Sequence, residues 1–187
     1  MRPLSLDGVS VEPVPFLAPP RPISYGSWGY WAAPSLGRAL DRLYADWPFD
    51  VLHAHCLAPA GHAAARWVRR RRSSGFVVSA HGPDMIHVPE NSSLGRRACV
   101  AAMAAADLVV ANSTWAARRC ETIAGRRLPV RVVHLGADLA PMTASSNGTD
   151  LCSSQPISTA KKAARKLSTS FSILPTKANA KFQCDPS

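Results

Sequence analysis

The sequence predicts an α/β fold, a Rossmann-like parallel sheet with flanking helices, on three observations. Four short, valine-rich apolar runs recur through the middle of the chain. Each pair of runs is separated by enough residues for a crossover helix, which makes right-handed parallel pairing the economical topology. Polar residues, with histidine, glycine and asparagine among them, follow the runs at the same end.

The opening segment, 1–33, is proline-rich, and Pro13, Pro15, Pro19, Pro20 and Pro22 leave only Val9 to Leu17 able to supply a short edge strand. The body spans 34–140. Leu36, Leu40, Leu43 and Trp47 repeat at helical spacing, with Ser35 as expected N-cap and Pro48 as the stop. Strands are predicted at Val51–His55, Phe76–Ala80, Leu108–Ala111 and Val130–His134, all apolar enough to be covered on both faces. Between them helices are expected from about Pro59 to Arg72, from about Ser92 to Ala106, and from a cap at Ser113 or Thr114 to Gly125. The tail, 141–187, is rich in Ser, Thr and Lys, carries neither period, and is expected to be disordered.

At 187 residues the chain holds one ordinary domain and its core, and 47% hydrophobic residues is a globular share. The longest apolar stretches are broken by charge before they could span a bilayer, and the N-terminus lacks the apolar core of a secretory signal, so a cytoplasmic location is expected. Five scattered cysteines without a Cys-x-x-Cys pair fit neither a disulfide framework nor a zinc knuckle. The net charge of +10 is compatible with peripheral contact with an anionic membrane, but its distribution says more. All five lysines follow residue 160, while every arginine except Arg165 precedes residue 132. The arginine run 69–72 reads as a solvated helix end favourable to the helix dipole rather than as a nucleic-acid patch.

In an open parallel sheet, ligands gather beyond the carboxyl ends of the strands, where loops meet helix N-termini. That rule selects His55, then His81, Gly82 and Asp84, then Asn112 and Ser113, then Gly136. The blander readings stand beside these: Ser113 fits a helix cap better than a nucleophile, Gly82 a turn, and His53 with His55 lacks a third metal ligand, so no metal site is expected. His62, His87 and His134 carry no distinguishing signal.

Four blocks then resemble, in order and spacing, the N-terminal domain of glycosyltransferase family 4. They are Phe49 to His55, Val77 to Asp84, Ala106 to Ser113 and Val132 to Asp138. The resemblance implies a GT-B enzyme, two Rossmann-like domains across a cleft, transferring a sugar with retention from a nucleotide-sugar co-substrate to a sugar, lipid or small-molecule acceptor. No permanently bound cofactor is implied. His81 matches the family histidine that reaches the donor sugar and is the expected catalytic residue. His55 and Asp84 would serve the acceptor side, Asn112, Ser113 and Gly136 would shape the cleft floor, and Gly82 would be a further substrate-binding residue. Met1 to Val9 lacks the glycine-rich opening loop of the family, and nothing after Asp138 supplies the glutamates and basic phosphate ligands of a donor domain. A truncated or frameshifted chain, inactive alone, is therefore expected. Two other functions are compatible with the residues: a non-catalytic α/β module binding an acidic ligand or partner, and a hydrolase using His81 or His55 as general base.

Overall fold

A computed structural model describes residues 4–6, 9–20, 24–71, 74–136 and 173–176. Contacts divide the chain into one unit of 1–134 with 171–187 and a second of 135–170, of which only Leu135 and Gly136 are described. In the first unit the elements run β1 (Leu4–Leu6), β2 (Val9–Val11), α1 (Trp28–Asp46), β3 (Val51–His55), α2 (His62–Arg71), β4 (Gly75–Ala80), α3 (Gly82–Asn91), α4 (Ser93–Ala105), β5 (Leu108–Ala111), α5 (Thr114–Ala124), β6 (Val130–Val132) and β7 (Ile173–Thr176). The main sheet has the order β6-β5-β4-β3-β7, with the first four strands parallel and β7 antiparallel to β3. The α/β, Rossmann-like prediction holds.

Several boundaries differ from the expectation, each for a tertiary reason. Helix α1 begins at Trp28, not at Ser35, and carries Pro34 inside it, ahead of the expected boundary at 33–34. Pro34 removes one helical hydrogen bond, and aromatic packing offsets that loss. Trp28 meets Tyr25 and Phe16 at ring separations of 5.1 and 6.0 Å, and its indole N–H donates to the carbonyl of Pro19 at 3.0 Å. Helix α2 starts at His62, because Leu57–Gly61, with an extended Ala58 at φ −142° and ψ 139°, form a kinked turn over the residues expected to open it.

Helix α3 was not anticipated: Pro83 and Pro89 mask it, yet Pro83 falls in its first turn, where a missing N–H costs nothing. Ser92 does cap α4, accepting from the amide of Gly95 at 3.1 Å. Strand β6 ends at Val132, two residues short of the expected end. The edge strand expected within Val9 to Leu17 pairs instead with β1, apart from the main sheet. Of the tail expected to be disordered, Ile173–Thr176 form β7, and the rest lies outside the described residues.

The strand order also corrects the expectation of two covered faces. When successive parallel strands add in one direction, right-handed crossovers put every connecting helix on the same side. Leu52, Ala54, Phe76, Val78, Val109 and Ala111 point to that side and are fully buried in one cluster with Leu36, Leu40, Ala64, Cys99 and Cys120. Of the alternate residues Ser79 is buried, His53, His55, Val77, Leu108 and Val110 are only half-buried, and Arg131 is exposed. Each large side chain removed from water in the core contributes about 2 kcal/mol. Trp67 anchors the lower end of the helical layer, its ring 5.7 Å from Phe49 and its indole N–H donating to Asp41 at 2.8 Å.

Candidate functional site

The parallel register sets His55 beside Ser79 and Ala80 beside Ala111, so the carboxyl ends of β3, β4 and β5 form one rim. His55 ends β3 and His81 directly follows β4. Their imidazoles stack, 5.8 Å between centroids and 17° between planes. His53, two residues back on the same face, lies 4.5 Å from the His55 ring, and its Nε2 is hydrogen-bonded to the Ser79 hydroxyl at 2.8 Å. Three imidazoles therefore form a row. Burial, and then repulsion from the neighbouring rings, lowers the pKa of His53; burial and His55 do the same for His81. Both are neutral at physiological pH, and a neutral imidazole offers one N–H donor and one acceptor nitrogen. Such a group suits hydrogen bonding to hydroxyls.

Asp84 holds this row in place from below. It is 3% exposed, and its carboxylate accepts from the amide of His81 at 2.8 Å and from the amide of Leu57 at 2.5 Å. The first bond caps α3 and fixes the backbone of His81; the second ties in the loop that follows His55. Burial pushes the Asp84 carboxyl up to about 6, against the opposing pull of those amides. With both oxygens engaged inside the protein, Asp84 positions the two histidine loops rather than presenting itself to a ligand.

Cys56 makes that loop possible by taking a positive φ of 75° and donating its amide to the carbonyl of Ser79 at 3.0 Å. A non-glycine residue in this region is strained by about 1–3 kcal/mol, which the surrounding bonds must offset. Its thiol is no nucleophile, since burial and then Asp84 push it up to about 11.

The remaining expected residues are placed as follows. Gly82 opens α3 beside His81, and a Cβ added there would meet nothing within 4 Å, so the turn does not require glycine. It leaves free space over the helix N-terminus. Asn112 and Ser113 follow β5, and the Ser113 hydroxyl accepts from the amide of Ala116 at 3.1 Å as the cap of α5. Gly136 is exposed and belongs to the second unit. Sequence reasoning gave no role to Ser79 or Cys56; it put His53 and His55 on one face of β3 by their alternation and read a satisfied core or loop histidine ahead of a metal ligand, and the partner it missed was Ser79, on the same face of the neighbouring strand. Among the described residues there is no group of three or more side chains arranged to hold a metal ion. No helix among them is long and apolar enough to cross a membrane.

A parallel sheet with helices on its crossovers and imidazoles gathered at its carboxyl-end rim is a Rossmann-like α/β domain. Residues 4–141 match the family description Glycosyltransferase Family 4, and the chain belongs to that family. The match takes in the opening segment with β1 and β2, which had lain outside the four recognised blocks. No curated protein matches the chain.

Proposed function

We propose that this domain is the acceptor-side half of a retaining, sugar-nucleotide-dependent glycosyltransferase of GT-B architecture, with a donor-binding domain facing it in the complete enzyme. The observation that carries this reading is the stacked His55 and His81 pair, held by Asp84 at the carboxyl edge of a parallel sheet. His81 is the catalytic group in this reading. Its neutral ring hydrogen-bonds a sugar hydroxyl and orients the donor as positive charge develops at the anomeric carbon. His55 and the open space at Gly82 border the acceptor, while Asn112 and Ser113 close the floor beside β5. The co-substrate is a nucleotide sugar, with no resident cofactor.

This domain alone is expected to be inactive. Positioning two substrates together contributes on the order of 7–11 kcal/mol to lowering a barrier, and one wall of a cleft cannot supply it. Turnover of a sugar nucleotide by the purified chain, abolished by His81→Ala, would show that expectation to be wrong. Acceptor binding is tested separately by titrating sugars, sugar phosphates and lipid-linked sugars while following the histidine ring resonances by NMR. The expected result is a saturable shift of the His55 and His81 signals by at least one acceptor class; ligands that bind yet leave both signals in place, or a panel that does not bind, would overturn the acceptor assignment.

A further inference from the structure

We propose that the groove between α1 and α2 is an anion site that takes a compact ligand carrying several phosphates. The groove is a cavity of about 490 Å³ lined by Arg38, Arg66, Arg69 and Arg70, with Ala33 and Pro34 as an apolar floor and Asp41 as its single acid. That volume lies within the range of small-molecule sites. This inference is independent of the transferase reading.

In the groove four arginines face a single carboxylate. Asp41 accepts through Oδ1 from the Trp67 indole at 2.8 Å and from Arg71 at 3.1 Å, and its ion pair is with Arg71, outside the groove lining. Among the described residues none of the four lining arginines is in an ion pair; the ion pairs involve Arg42, Arg71, Arg119 and Arg127. All four guanidiniums are exposed, so water screens their mutual repulsion, and Arg69 also donates to the carbonyl of Ala101 at 3.2 Å; an anion seated between them adds an attraction to each. Gly37 adds a geometric element: a Cβ there would stand 3.0 Å from the Arg70 Nη2, so its absence lets that guanidinium lie across α1.

The guanidinium geometry suits phosphate. All four cations are arginines, whose planar forks bind phosphate oxygens in pairs, whereas lysine acts as a point charge. Several forks in one cavity match several phosphates better than one carboxylate. A nucleic-acid strand fits less well, because no lining residue offers an aromatic face for base stacking and the Tyr30 ring beside Arg66 is covered by that guanidinium at 5.5 Å.

The test uses the full chain with inorganic triphosphate as probe, by calorimetry at fixed ionic strength. Saturable binding at one site per chain is expected, weakened by about tenfold or more in Arg38→Gln/Arg70→Gln. A control of equal charge loss, Arg118→Gln/Arg126→Gln, two exposed arginines outside the groove, should stay within about twofold of the parent. Thermal melts establish that each variant is folded, and Arg66→Gln/Arg69→Gln replaces the first pair if it is not. Vesicles of phosphatidylcholine containing a phosphoinositide distinguish a lipid headgroup from a free ligand: in either case triphosphate must displace what the groove holds. No saturable binding, equal weakening in the control pair, or vesicle or oligonucleotide binding that triphosphate fails to displace would each overturn the proposal.

Discussion

Two buried titratable groups pull the pH dependence of stability in opposite directions. Asp84 has a folded pKa raised to about 6 by burial, so its contribution is full below its unfolded value near 3.8 and is lost as pH rises through 6. His62 is the reverse case. It is 3% exposed, its ring lies 4.2 Å from that of Tyr30, its Nδ1 has no hydrogen-bond partner, and burial followed by Arg66 and Arg69 lowers its pKa to about 4. The unfolded chain therefore takes up a proton near 6.5 that the folded chain refuses until about 4, and stability drops with acidification across that window. Between about pH 7 and pH 5 this side chain alone should cost the protein about 2 kcal/mol. Urea denaturation at the two pH values should show a slope that is shallower in His62→Phe by that amount. Asp84→Ala leaves the amides of His81 and Leu57 without their acceptor, and should destabilise by about 1–3 kcal/mol at neutral pH, with loss of the His55 to His81 ring stacking in NMR spectra. The sequence placed Asp84 among ligand-binding residues because its position after His81 was visible, whereas the amide of Leu57, 27 residues upstream, was not.

At the scale of the element, the helix ends and the capped starts at Ser92 and Ser113 were legible, while the starts of α1 and α2 were not. Gly125 stops α5 in the left-handed region, φ 68°, donating its amide to the carbonyl of Glu121 at 2.8 Å, as a glycine after the last apolar residue predicts. A Cβ at that position would meet nothing within 4 Å, so Gly125→Ala isolates the backbone term and should cost about 1 kcal/mol in a thermal melt. Gly95 is the opposite kind of glycine. Its added Cβ would stand 2.6 Å from the carbonyl oxygen of Val88, between α3 and α4, and the Cα of Gly26 lies 3.3 Å away. Gly95→Ala should therefore destabilise by about 1–3 kcal/mol through overpacking, and an equal or higher melting temperature would contradict that packing. Local signals at Ser113 and Gly125 were legible because a cap needs only its own neighbours. The start of α1 was not, because contacts with Phe16 and Pro19 outweigh the local preference of Pro34.

For the molecule as a whole, the consequential feature is the far edge of the sheet. Strand β3 would end the sheet with unpaired backbone groups, an invitation to edge pairing between molecules. Strand β7 occupies that edge, with Val51 opposite Thr176 and Ala54 opposite Ile173. Ending the chain at residue 170 should raise its tendency to aggregate on warming, readable by light scattering; unchanged scattering and melting temperature would remove β7 from any protective role. By itself the sequence determined the layered class, the four parallel strands, the family and the rim on which His55 and His81 sit, since all of these follow from period, spacing and order along the chain. Only the tertiary structure decided that Asp84 is a brace, that the helices gather on one face, that His53 joins the imidazole row through Ser79, and that four arginines from two helices converge on one groove. Those are contacts between residues distant in sequence, and packing selects them through the summed burial of the core rather than through any preference carried by the residues alone.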